Sequence, residues 1–216
     1  MSHIRGKIMF KDAIREIMEG AVLHSIGPNG TLSESYYIAR FKTLREPLGF
    51  PISAAKLPDD KQAIHAWVEE NNKPVSVGRI HLIPEDSSGS CSDTSDANST
   101  SCPDFLPLNQ EGCIDSLGNI LPNFNSIRPA VQIRQMGTII GYQRKGYASL
   151  VLNELEISAV KLWGSCTGLL QARRAAIPFY ESQGWVSFGE EYMIDGIGPH
   201  ISMWKPLTNN SQKGGE

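Results

Sequence analysis

The sequence has no apolar run approaching the roughly 20 residues that span a bilayer. Its first stretch, Met1 to Gly20, mixes charges among the apolar side chains and has no signal-peptide core. Neither a membrane span nor a secretory signal is expected, and cytoplasm is the default compartment. Cysteine is scarce. Cys91, Cys102 and Cys113 fall eleven apart, with no Cys-x-x-Cys and no nearby histidine pair. Neither a zinc site nor a disulfide framework is indicated, so no metal is expected. The fourth cysteine, Cys166, reads as a small buried apolar residue. Basic residues are missing from Glu85 to Ser126, where seven acidic ones stand. The overall charge of −3 therefore divides into −7 there and +4 (−3 minus −7) elsewhere. That mild excess suits an anionic small ligand and is too weak to indicate nucleic acid.

What is present is the element pattern of a single domain over 1–216. Lys11 to Glu19 can form a short helix with Ile14, Ile17 and Met18 on one face. Gly27-Pro28-Asn29-Gly30 is a turn, and the rest of 1–30 carries little signal. Ser33 is a suitable N-cap for a helix whose apolar face is Tyr37, Phe41 and Leu44, ended by Pro47. Asp59 to Glu70 reads as a second helix with Ile64, Trp67 and Val68 inward. A turn at Asn71-Asn72-Lys73-Pro74 leads into a strand, Val75 to Ile83. Segment 85–127 is an acidic insertion. Its Ser/Asp/Gly-rich part, 85–104, is expected to be disordered, and 105–127 to be a loop with local turns.

Ala130 to Ile140 is the next strand, with Val131 and Ile133 alternating against Gln132 and Arg134. Gly137 inside it marks a bulge or a close backbone approach. A periodic helix follows, Ala148 to Trp163, with Ala148, Val151, Leu152, Leu155, Ala159 and Leu162 on one face and Gly164 as its cap. Thr167 to Gln171 is a short strand. A helix from about Ala175 to Gln183 tolerates Pro178 only near its first turn. Strands Val186–Tyr192 and Pro199–Lys205 complete the chain. This order indicates an α/β or α+β fold with a mixed sheet.

The most informative residues are Gln143-Arg144-Lys145-Gly146-Tyr147-Ala148, lying between that strand and that helix. The first N–H groups of a helix lack intrahelical partners and carry the positive end of its dipole. Gly146 lets a ligand approach the backbone, and Arg144 and Lys145 add charge. The ligand implied is a phosphate or pyrophosphate. No Gly-Lys-Ser/Thr follows, and the glycines of a dinucleotide fingerprint are missing.

Gln143-x-x-Gly146-x-Ala148 resembles the pyrophosphate signature of the GCN5-related N-acetyltransferases (GNAT superfamily). Gln171-Ala172-Arg173-Arg174-Ala175-Ala176-Ile177-Pro178-Phe179-Tyr180-Glu181-Ser182-Gln183-Gly184-Trp185 resembles the family's Asn-Ala-Arg-x-x-Ala-x-x-Phe-Tyr-Glu-x-x-Gly-Phe segment. Asp195 to Met203 resembles the Gly-Ile-Pro-His-x-x-Met ending of a small bacterial branch, and Leu44 to Pro51 its first-helix region. The resemblance spans roughly 34–83 and 130–206. It implies a mixed, mostly antiparallel sheet flanked by helices, acetyl-CoA (coenzyme A) as cosubstrate, and a small-molecule or peptide amine as acceptor, with homodimerisation open. By the same resemblance, Gln143, Arg144, Lys145, Gly146, Tyr147 and Ala148 hold the pyrophosphate, Met136, Gly137 and Thr138 pair with the pantetheine arm, and Arg173 assists the cofactor.

The implied reaction moves two protons: one leaves the amine, and one reaches the departing thiolate. Tyr180, at the family's Phe-Tyr position, is the expected acid; the alternative is a core aromatic. The base is left among His81, His200 and an ordered water. Phe179 reads as core and Glu181 as solvent-facing. Arg45 and Glu46 either shape the acceptor pocket or form a solvated loop. The chain departs from the family at Gln171 and Ala175, where asparagines are usual, at Pro178, and at the extra Gly198. The missing asparagine and Pro178 motivate an alternative to the N-acyltransferase: a non-catalytic acyl-CoA-binding or regulatory module.

Overall fold

The computed structural model describes residues 20–87, 89, 105, 113–123, 126–194 and 196–208. The proposed Lys11–Glu19 helix and most of 85–104 lie outside them. Seven strands form one sheet in the order β1-β2-β3-β4-β5-β7-β6. They are β1 Ala21–Ile26, β2 Ala63–Glu70, β3 Lys73–Leu82, β4 Ala130–Thr138, β5 Cys166–Arg173, β6 Val186–Ile194 and β7 Gly198–Leu207. Among the described residues three α-helices accompany it: α1 Glu34–Leu44, α2 Tyr147–Trp163 and α3 Ile177–Ser182. Every pairing is antiparallel except β4 with β5. This is the mixed, mostly antiparallel sheet with flanking helices that the resemblance implied.

One expected helix is a strand. Asp59 to Glu70 contains a single 3-10 turn, Asp60–Gln62, and then β2. Ile64, Ala66 and Val68 are buried toward α2, while Ala63 and His65 are also buried and Trp67 packs toward α1. A strand covered on both faces shows no polar alternation, so its apolar residues fit a helical spacing as well as an extended one. β1 was also missed. Its six residues form an edge strand with a mixed pattern of exposure.

α1 begins at the expected cap, where the Tyr36 amide donates to Ser33 Oγ at 3.2 Å. Its buried face is Tyr36, Ala39 and Arg40, rotated from the expected Tyr37, Phe41 and Leu44. A charged residue on the core side misled the apolar count. Arg40 is fully buried and donates to both carboxylate oxygens of Asp60 at 2.9 Å, to Ala55 O at 3.0 Å and to Tyr36 Oη at 3.2 Å. α2 runs from Tyr147 to the Gly164 cap and presents Leu150, Val151, Leu152, Leu155 and Ala159 to the sheet. Leu162, expected inward, is exposed. Pro178 sits in the first turn of α3, where it displaces no helical hydrogen bond.

Parts of the acidic insertion belong to the core. Phe105, Leu121 and Ile127 pack with Ile83, Ala130, Leu169 and Phe188. β3 and β4, on either side of the insertion, pair as neighbours from Leu82↔Val131 onward.

Candidate active site

The site is made where the sheet comes apart. β4 and β5 pair in parallel over four residues, ending at Ile133↔Leu170. Beyond that point β4 stays with β3, while β5 follows β7 as far as Arg173↔His200. A bulge in β4 between Arg134 and Gly137 drives the parting: two steps along β3 oppose three along β4. Gln135 carries the bulge at φ +56. Gly137 is the close approach rather than the bulge itself. A Cβ there would stand 2.6 Å from Thr43 Oγ1 on α1.

Two cavities open on the parted strands. The larger, about 550 Å³, is bounded by β4 at Met136, Gly137 and Thr138, by the turn at Gln143, Arg144, Gly146, Tyr147 and Ala148, and by Phe179 and Tyr180 of α3. The smaller, about 180 Å³, is bounded by Arg45 after α1, Arg134 on β4, Gln171 and Arg173 on β5, and His200 on β7. Met136, Ala176 and Tyr180 line both, so the two spaces meet at Tyr180.

The turn before α2 is shaped for an anion. Gly146 is the N-cap with φ +79, and Arg144 is also left-handed, at φ +62. The amides that follow have no intrahelical acceptors. Of the residues expected to hold the cofactor, eight line the larger cavity and two do not. Lys145 is turned away: its Nζ lies 3.2 Å from Glu70 Oε1 and over the Tyr142 ring. Tyr147 donates to the same Glu70. Arg173 lines the smaller cavity instead.

Tyr180 is the only expected proton donor at the junction. It is 8 % exposed, and burial pushes its hydroxyl pKa well above the ordinary value. The group stays protonated throughout the neutral range. Its ring packs edge-on against Phe179 and Trp185. Its hydroxyl makes no hydrogen bond to another described residue.

The two histidines separate clearly. His200 lines the smaller cavity, with Nδ1 2.9 Å from Gly198 O. A carbonyl only accepts, so Nδ1 carries the hydrogen and Nε2 keeps its lone pair. Burial and the nearby Arg173 charge hold its pKa below the usual histidine value, despite the Gly198 bond. His81 lines neither cavity. It is buried between β2 and β4 with Nδ1 3.1 Å from Leu82 O, and burial lowers its pKa to about 4. His81, a candidate base, is thus on the strand expected of it, but its side chain is enclosed away from both cavities.

Sequence reasoning missed Arg134 and Gln135. Arg134 was seen as the polar half of an alternation, but the strand's divergence, which turns that half into a cavity wall, has no sequence signal. Glu46, paired with Arg45 in the reading, is exposed and does not line the smaller cavity. Among the described residues no cluster of three His, Cys, Asp or Glu could hold a metal, and no helix is long and apolar enough to cross a membrane.

No family model matches the sequence. The uncharacterized N-acetyltransferase YitI of Bacillus subtilis is 27 % identical over 103 residues, which is 46 % of this chain and 68 % of that protein. The crystal structure of an acyl-CoA N-acyltransferase from Pseudomonas aeruginosa matches 86 % of this chain and 99 % of its own at 14 % identity, with a TM-score of 0.52. An aminoglycoside 6′-N-acetyltransferase complexed with coenzyme A matches 87 % of this chain and 98 % of its own at 10 % identity, with a TM-score of 0.53. This chain shares the fold of these acyltransferases, a mixed, mostly antiparallel sheet flanked by helices.

Proposed function

We propose that the protein is an acyl-CoA-dependent N-acyltransferase that moves an acetyl group from acetyl-CoA to a primary amine. The observation that carries this reading is the meeting of the two cavities at Tyr180. One has an anion-binding turn at its far end, and the other has a neutral imidazole. The relative complexed with coenzyme A supports the choice of cosubstrate. Here the amides from Arg144 to Ala148 would take the pyrophosphate, and the unpaired edge of β4 at Met136, Gly137 and Thr138 would pair with the pantetheine amides. The thioester then falls beside Tyr180.

His200 Nε2 accepts the proton that the amine must lose to attack as a free base. A nitrogen–carbon bond forms and the carbon–sulfur bond breaks. A thiol pKa near 8.5 makes the sulfur a modest leaving group. Tyr180 donates a hydrogen bond to it as charge develops, and solvent supplies the proton that balances the step. Because burial raises the affinity of Tyr180 for its proton, hydrogen bonding is its main contribution. The non-catalytic alternative rested partly on Pro178, but that proline lies in the first turn of α3 and leaves Tyr180 at the junction.

The test is thiol release from acetyl-CoA across a panel of amines. Acceptor-dependent release is expected. Tyr180→Phe keeps the ring packing and should lower kcat by about 10²–10³, as for loss of one donor to a developing negative charge, while changing coenzyme A affinity less than about twofold. Tight coenzyme A binding without release on any acceptor would favour the non-catalytic module. Normal kcat in Tyr180→Phe, with chemistry rate-limiting, would make Tyr180 structural.

A further inference from the structure

The smaller cavity has an unusual charge. Arg45, Arg134 and Arg173 all line it, with His200, Gln135 and Gln171 as its other polar residues. Among the described residues no aspartate or glutamate lines it. The larger cavity contains only one basic residue, Arg144, at its phosphate turn. The arginines are thus gathered on the opposite side of Tyr180 from the turn that suits the cofactor's phosphates.

Like charges at a small space repel one another unless an anion joins them; Arg45 feels the charge of Arg173 here, while Arg134 also lies near Asp59. Arg45 is 4 % exposed, and its pKa falls to about 10 because burial and the charges of Arg40, Arg173 and Arg79 oppose its own. Arg173 has no ion-pair or hydrogen-bond partner among the described residues, and only burial shifts its pKa. Arg45 Nε donates to Ala54 O at 3.0 Å, which fixes the head of that side chain at the cavity wall. The guanidinium fork matches a carboxylate or phosphate in two-point hydrogen bonding.

We infer that the acceptor is a small amine bearing an oxyanion, a carboxylate or a phosphate, which Arg45, Arg134 and Arg173 hold while its amino group faces His200 and Tyr180. This rests on the acyltransferase reading for its chemistry, though binding of the anion does not. The cavity is small, about 180 Å³. That admits one amino-acid-sized group and argues against a folded protein surface entering it. The arginines also disfavour polyamines and other cationic acceptors, which would add like charge to the cluster.

Matched pairs test this: leucine against leucinamide for a carboxylate, and phosphoethanolamine against ethanolamine for a phosphate. Binding of each to the coenzyme A-loaded protein is measured by calorimetry, and acetyl transfer is measured with rates expressed per free amine. The acidic member of at least one pair should bind at least about tenfold more tightly, and the pair that discriminates identifies the oxyanion. Arg173→Gln should reduce that preference to about threefold or less. Because Arg173 is exposed at the cavity rim, its replacement should preserve the fold and leave coenzyme A affinity within about twofold. Arg134→Gln provides a second, independent variant. Equal or tighter binding of the uncharged members, or full preference retained in both variants, overturns the inference. Preferential binding without any transfer leaves the anion site standing and removes the acyltransferase reading instead.

Discussion

Gly146 shows how much one residue can decide at the proposed phosphate turn. Its φ of +79 places it in a region that costs other residues about 1–2 kcal/mol, and it is the N-cap of the helix whose amides face the larger cavity. Gly146→Ala should therefore lower stability by about 1 kcal/mol through backbone strain, with a small effect on binding. Gly146→Asp adds a carboxylate against the phosphates. It should raise the coenzyme A dissociation constant at least about tenfold, equivalent to about 1.4 kcal/mol. Titration calorimetry on the two variants separates strain from charge, and equal affinities for both would remove the turn from the site. This residue was legible because its conformation is local. The choice between His81 and His200 was not, since both lie on strands and only tertiary placement distinguishes them. One is closed in between β2 and β4; the other lines a cavity where burial, helped by the Arg173 charge, suppresses its protonation.

Among the elements, α1 is held by charge as much as by apolar contact. Asp60 joins Arg40 from α1 to Arg79 from β3, at 2.9 and 3.1 Å, and Asp59 takes the other side of Arg79 at 2.8 Å. His65 Nε2 donates to Asp60 O at 2.8 Å, which leaves Nδ1 to accept from Arg40 or Tyr36. Asp60→Asn keeps the shape and removes the charge between two fully buried guanidinia. Breaking a buried pair on one side typically costs about 3–5 kcal/mol. Asp59, whose side chain is 36 % exposed, should cost about 1 kcal/mol when changed to Asn, because water can replace part of the lost interaction. Urea unfolding at constant m-value measures both. An Asp60→Asn loss no larger than that of Asp59→Asn would show that the network contributes little. The same network explains two misread elements. Arg40 faces inward on α1 and displaced the apolar face by one position, and β2 is covered on both sides, so neither followed the pattern of apolar-in and polar-out. By contrast α2, with only apolar residues against the sheet, was correctly placed to within one residue at its start.

At the scale of the whole molecule, the acidic insertion is two different things. Composition predicts that its Ser/Asp-rich part cannot bury enough apolar surface to order itself. Yet Phe105 is fully buried beside Phe188, and Leu121 and Ile127 join the same cluster. Isolated apolar residues in a polar stretch have no periodicity, so nothing local distinguished these anchors from loop. On the strand side, Arg128 donates to Pro84 O at 2.9 Å and Ser87 O at 2.6 Å, so the segment's beginning is also tied down. Replacing residues 90–102 with a short Gly-Ser linker should therefore leave the melting temperature within about 2 °C, since closure free energy changes by only about 0.6 kcal/mol per doubling of loop length. Phe105→Ala should instead cost about 3–5 kcal/mol, as for other large buried side chains. Thermal unfolding of the two variants places the boundary. If the linker variant loses as much as Phe105→Ala, the polar stretch contributes packing of its own. If neither loses stability, the cluster around Phe188 does not depend on Phe105.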